Sequence, residues 1–544
     1  MEYYPIILVR GFDPTGAACP DPFYGFNDGT VYFNTVDASR IFEGFVVSFL
    51  KDTVHKYKDT SNAIRFHTPK QVDGAQDRCF TVSPPGVLEM LGFPTDQVAK
   101  RKTFWVFRYY DAFPGGIVSR SGIDMVPYFA RELQRFIATV KNLTDSPKVN
   151  ILCHSMGGII TRHLIQRRYF DRQVAESNIH RVVSLGTPHG GISYMHGFLP
   201  NLLTELFGFF EPEAMDIVEI KKEALWVTEK GSDYLPKSND RLFKKNKYGL
   251  DGQCISKSWD PENWLCVVGT RYTDYKWRLG TLFIGKQSDG LVRQKDAVIT
   301  YPDDDGKKPS KQVPPRAYLH KTHGGYDSLL TSRESFEVAT RFLFGSHWVK
   351  LYIDKGSALN RFNQNNQYYI GASIKPRGVD FFLTQVDRIS ENCATLYKPG
   401  ESSDLIKVEG DKARLKDDLL LYQGALDVAR SIHKEEIVFR IDLRVYAEDD
   451  PRAGGSKEDA SFVMGHNDHR HIDEQIIVRA DPGTKELRWY QNSADTINPN
   501  TKPDALRTAE KSISGGKEIL VYRNLELNVK DNFEGTLRIE ATER

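Results

Sequence analysis

Ser155 stands in the run Lys148-Val-Asn-Ile-Leu-Cys-His-Ser-Met-Gly-Gly-Ile159, which reads as an apolar strand, a one-residue corner and then a helix. A serine on so tight a strand-to-helix turn is pushed out of the sheet at a backbone angle that only small neighbours allow, and its hydroxyl becomes an exposed nucleophile. Gly157 and Gly158 supply that smallness on one side. On the other side Cys153 stands where the G-x-S-x-G pattern has glycine.

A hydroxyl is a poor nucleophile until a histidine takes its proton, and the histidine needs a carboxylate to fix its tautomer. Behind a corner of this kind the partners follow in the order acid, then histidine. Ser288-Asp-Gly-Leu-Val292 places Asp289 in a loop turned by Gly290, and Leu319-His-Lys-Thr-His-Gly-Gly-Tyr-Asp327 offers two histidines directly after an apolar run. Asp289 and His323 are the expected partners of Ser155. His320, at the strand end, is the rival base, and Asp327 is either an orienting acid or a helix cap. The developing oxyanion needs two backbone amides already in place. One is expected from Met156 and the other from Phe12, in the loop Val9-Arg-Gly-Phe12.

These groups need a scaffold, and residues 1 to about 345 alternate strand-like apolar runs with helical patterns. That rhythm predicts a doubly wound, mostly parallel sheet with helices on its faces. Strands are expected at Pro5 to Val9, Phe104 to Phe107, Val149 to Leu152, Val182 to Leu185 and Leu265 to Val268. Helices are expected around Ile41 to Leu50, Ile123 to Val140 and Ile159 to Gln166. From residue 346 to 544 apolar residues recur at every second position, as in Ile437, Phe439, Ile441, Leu443 and Val445, with Arg440, Asp442 and Arg444 between them. Half-buried strands with turns between them predict an all-β sandwich.

At 544 residues the chain is long enough for two cores. Its 73 basic and 72 acidic residues leave a formal charge of +1, so no global field favours nucleic acid. The first ten residues lack the apolar stretch of a signal peptide or anchor, which makes a cytoplasmic location the default expectation, with signal-less export as the alternative. Six scattered cysteines show no metal spacing, and neither a metal nor another cofactor is expected. His466-Asn-Asp-His-Arg-His471 and Asp303-Asp-Asp305 read as a solvated loop and an exposed turn rather than metal sites.

Four blocks give the chain a resemblance to a family: Pro5-Ile-Ile-Leu-Val-Arg-Gly-Phe12, Cys153-His-Ser-Met-Gly-Gly158, Ser184-Leu-Gly-Thr-Pro-His-Gly-Gly191, and Ser288-Asp-Gly-Leu-Val292 with the His323 loop. Over residues 1 to about 345 it resembles the α/β-hydrolase lipases and esterases. The nearest branch holds the bacterial triacylglycerol lipases, the lecithin:cholesterol acyltransferase-like enzymes and the GPI inositol-deacylase. The resemblance implies a serine hydrolase acting on carboxylic esters, with lipid esters as the expected substrates and a phospholipase A-type activity as its sharper form. It also implies a lid at about 192–246, where Phe198, Leu202 and Phe207 belong to an apolar stretch that lines an acyl pocket or meets lipid. By analogy with lipases that append a C2 or PLAT module, the C-terminal sandwich is expected to approach a membrane. Two other readings stand beside it: a non-catalytic binding module on the same fold, and a lipase effector or toxin delivered to membranes.

Overall fold

A computed structural model describes residues 2–11, 43–66, 79–107, 125–167, 177–190, 259–272, 287–300, 313–324, 327–386, 393–431, 436–449, 470–481, 483–491, 505–514, 517–529 and 531–544. It divides into two compact units, Met1–Ala339 and Thr340–Arg544.

The first unit holds nine described strands: β1 (Ile6–Val9), β2 (Lys58–Asp59), β3 (Ile64–Phe66), β4 (Phe80–Val82), β5 (Thr103–Phe107), β6 (Val149–His154), β7 (Ile179–Leu185), β8 (Trp264–Gly269) and β9 (Arg316–Leu319). Seven form one parallel sheet in the order β2-β5-β1-β6-β7-β8-β9. Every residue of β1, β5, β6 and β8 is buried, as strands covered on both faces require. The helices are α1 (Glu43–Lys51), α2 (Pro85–Met90), α3 (Gln97–Arg101), α4 (Met125–Thr144), α5 (Met156–Arg167) and α6 (Arg333–Phe344). On α4 the residues Phe129, Leu133, Phe136, Ile137 and Val140 recur at helical spacing and all are buried. Phe136 meets Phe66, Phe80 and Phe107 with ring centroids 5.8, 5.3 and 5.3 Å away. Truncating such a residue costs about 3–5 kcal/mol.

Register decides what this sheet positions. Val9 lies beside Cys153, Cys153 beside Ser184, Leu185 beside Val267, and Gly269 beside Leu319. The carboxyl ends of β1, β6, β7, β8 and β9 are therefore level, and the residues that follow them share one rim. In open α/β sheets ligands bind at that rim.

Among the described residues the second unit is β-rich, with one eight-stranded and one six-stranded sheet, and it takes in the last turn of α6. In the smaller sheet Asn366–Pro376, Ile437–Asp449 and Arg470–Asp481 pair antiparallel. Ile437, Phe439, Ile441, Leu443 and Val445 are all buried, which is the alternation expected. Asp442 departs from it, being buried where the pattern turns outward. The cause is a covering segment: Leu383 donates to the Ile374 carbonyl at 2.7 Å, and the ring of Phe382 lies 5.3 Å from the Arg440 guanidinium that pairs with Asp442. Among the described residues no helix is long and apolar enough to cross a membrane.

Candidate active site

Strand β6 ends at His154 and α5 begins at Met156, so Ser155 alone makes the corner. Its φ of 51° lies in the left-handed region, which costs a non-glycine residue about 1–3 kcal/mol. Two backbone bonds hold it there: Ser155 N–H donates to Leu185 at 3.0 Å, and Gly158 N–H donates to Ser155 at 3.0 Å. The corner also lies against β1, since a Cβ on Gly157 would collide with the carbonyls of Val9 and Arg10. Any larger residue there must separate the two strands' ends. Cys153 is seated without such conflict, fully buried, its Sγ 3.3 Å from the Val183 carbonyl. Burial pushes its thiol pKa far up, which leaves it un-ionised and inert.

Asp289 and His323 come together although 34 residues separate them. His323 Nδ1 lies 2.8 Å from Asp289 Oδ2, both side chains being almost wholly buried. The backbone repeats the contact, with His323 N–H donating to the Asp289 carbonyl at 2.8 Å. The other carboxylate oxygen, Oδ1, accepts from the amides of Leu291 at 3.0 Å and Val292 at 2.7 Å. A carboxylate so held can only accept at Nδ1, which fixes the proton on Nδ1 and leaves Nε2 as the basic nitrogen.

The pair reaches Ser155 through β7. Gly186, one residue after the Leu185 that receives the Ser155 amide, has φ 53°, and a Cβ there would lie 2.9 Å from Asp289 Oδ2 and 3.0 Å from His323 Nδ1. Neither alternative partner occupies this place. His320 is exposed, and Asp327 is exposed in ion pairs with Arg271 and Lys321. Met156 is the first residue of α5, where backbone N–H groups have no acceptor within the helix and the helix dipole favours negative charge. Phe12 lies outside the described residues, as do Phe198, Leu202 and Phe207, the expected lid at 192–246 and the acidic turn at 303–305.

Sequence reasoning missed two groups. His154 packs its ring on His323, with centroids 4.7 Å apart, and its Nε2 is 3.1 Å from the His323 carbonyl. Only its adjacency to Ser155 could have pointed to it. Beneath the rim, Ser184 Oγ accepts from Trp264 Nε1 at 2.9 Å and lies 3.2 Å from His189 Nε2, while Arg162 donates to the His189 carbonyl at 3.1 Å. This network fixes the Gly-Thr-Pro-His-Gly block as it leaves β7. His154 and His189 both have pKa values well below the usual histidine range, burial being the main cause for each.

Residues 119–248 match the family model described as palmitoyl protein thioesterase. The matched stretch contains Ser155 and ends before Asp289 and His323. A comparison with curated proteins gives no match. Among solved structures, the lin2722 gene product of Listeria innocua matches with 11% identity and a TM-score of 0.29, over 63% of this chain and 94% of that one. The parallel sheet with its helices has the α/β-hydrolase fold and is followed by a β-rich unit, and the matched stretch is similar to a thioesterase family.

Proposed function

We propose that this chain is a serine hydrolase that cleaves acyl esters through Ser155, His323 and Asp289. The observation that carries the reading is the double contact between His323 and Asp289 on the rim to which the Ser155 corner is fixed. Ser155 Oγ attacks the acyl carbonyl while His323 Nε2 takes its proton. The carbonyl oxygen becomes an oxyanion, received by the amides of Met156 and Phe12. When the intermediate collapses, the bond to the leaving group breaks and His323 returns the proton to it. Water, deprotonated by the same nitrogen, then releases the acid from the acyl enzyme.

The substrate in this reading is a lipid ester, with Phe198, Leu202 and Phe207 lining the acyl side and the lid or the C-terminal unit meeting the membrane surface. A phospholipase A-type reaction is its sharper form. A second reading, thioester hydrolysis, is favoured by the family match over residues 119–248. The two differ only in the leaving group, and a thiolate leaves with less need of protonation.

Purified full chain is assayed on p-nitrophenyl esters of graded chain length, on acyl thioesters and on phospholipid vesicles, beside Ser155→Ala. Hydrolysis that the variant lacks supports the reading, and the preferred panel separates ester from thioester. No difference between the two proteins on any panel would sink it in favour of a non-catalytic module.

A further inference from the structure

We infer that His154 is a positioning residue: by donating Nε2–H to the main-chain carbonyl of His323, it sets the orientation in which the imidazole of His323 meets Ser155. The inference rests on the reading of Ser155 and His323 as nucleophile and base.

His154 is the last residue of β6 and directly precedes Ser155. Its Nε2 lies 3.1 Å from the His323 carbonyl oxygen, and because a carbonyl only accepts, that nitrogen carries the proton. Nδ1 is then bare. It has no hydrogen-bond partner among the described residues, and it faces Gly11, whose Cβ, if present, would lie 2.8 Å away. The two rings are 4.7 Å apart and tilted by 45°, so His154 also forms a wall against which the His323 ring rests. Asp289 holds one side of His323 and His154 holds its main chain. The same corner therefore fixes both reacting groups, Ser155 through the chain and His323 through a side chain, and any shift of the corner moves them together.

Neutrality is part of the device. Burial first, then the neighbouring His323 and Arg10, push the His154 pKa well below the usual range, against the opposing pull of its bond to the His323 carbonyl. An imidazolium forming on His323 during catalysis then meets no second cation across a gap of 4.7 Å.

Glutamine places an amide nitrogen where Nε2 stands, and asparagine places one where Nδ1 stands, so the two variants separate the role of each nitrogen. His154→Gln, His154→Asn and His154→Phe are made in the full chain. Four quantities are followed: the fluorophosphonate labelling rate of Ser155, kcat and KM on a p-nitrophenyl ester, the far-downfield proton resonance of the His323–Asp289 hydrogen bond, and the thermal midpoint. His154→Gln is expected to keep the resonance and to label within about threefold of the parent. His154→Asn and His154→Phe are expected to lose about 10- to 100-fold in labelling and in kcat with KM unchanged, and to broaden the resonance. Their midpoints should stay close to that of His154→Gln. Equal labelling and equal resonances in the three variants would overturn the inference and leave His154 as packing. The resonance is read without substrate, so it decides the positioning role even if the parent hydrolyses nothing, an outcome that would defeat the hydrolase reading alone.

Discussion

His323 and Asp289 are joined twice, by Nδ1 and Oδ2 at 2.8 Å and by the His323 amide and the Asp289 carbonyl at 2.8 Å. A side-chain contact alone lets two loops drift. The second bond ties the main chains, so the carboxylate and the ring move as one body.

Asp289→Asn keeps an oxygen for the Leu291 and Val292 amides but turns an amide group toward Nδ1. That group donates, so the proton is forced onto Nε2 and the base is lost. kcat should fall on the order of 10³–10⁴-fold while the urea midpoint changes little. Activity within tenfold of the parent would mean that Asp289 does not orient the base.

Asp327→Asn tests the other acid. Asp327 is half exposed and pairs with Lys321, which also reaches Glu334 at 2.9 Å, so it staples the loop after His323 to the start of α6. Exposed ion pairs contribute about 0.2–1 kcal/mol. The variant should keep kcat within about threefold and lose that little stability, most visibly at low salt; a loss as large as that of Asp289→Asn would exchange their roles.

Gly186→Ala and Gly92→Ala form a matched pair. Both glycines have positive φ, 53° and 70°, but a Cβ on Gly92 meets nothing within 4 Å, whereas one on Gly186 presses on Asp289 and His323. Both should lose about 1–2 kcal/mol through the backbone alone. Only Gly186→Ala should also lose ester hydrolysis, by tenfold or more. Similar activities in the two would show that Gly186 serves the turn and not the site.

Acid should destabilise the first unit through His154 and His189. Both are held neutral in the folded state, with pKa values well below their usual one, while the unfolded chain protonates them below about pH 6.5. The unfolded state then binds more protons, so unfolding free energy rises with pH and is lost as pH falls below about 6.5, at up to ~1.4 kcal/mol per pH unit for each histidine. Urea unfolding of the parent between about pH 7 and 5 should show this limb, and His189→Gln should flatten it by about half. An unchanged slope would mean that His189 is protonated in the folded protein.

Much of this was legible in local sequence. The corner at Ser155 and the strands β1, β5, β6, β7 and β8 follow from apolar runs bounded by turn residues. The helix after the corner starts at Met156 rather than Ile159, because Gly157 and Gly158 read as a turn when their close fit against β1 and Thr187 cannot be seen. The partnership of Asp289 with His323 was legible from the motifs around them, but the place to which the sheet brings them was not. Nothing in the Gly186 neighbourhood announces that β8 and β9 will bring Asp289 and His323 against it. Alternation gives the face of a strand but not what covers it. Asp442 is therefore buried on the outward face, paired with the Arg440 whose guanidinium lies over Phe382, and Glu474 is buried in register with Leu443 on an inward position that the pattern reserves for apolar residues.

An activated Ser155 reacts with a fluorophosphonate, and labelling of the full chain with mass-spectrometric mapping reads that reaction residue by residue. One probe per chain is expected, on the peptide containing Ser155, with none on Ser155→Ala and slow labelling of Asp289→Asn. Labelling that survives Ser155→Ala, or that maps to another serine in the parent, would mean that Ser155 is not the nucleophile.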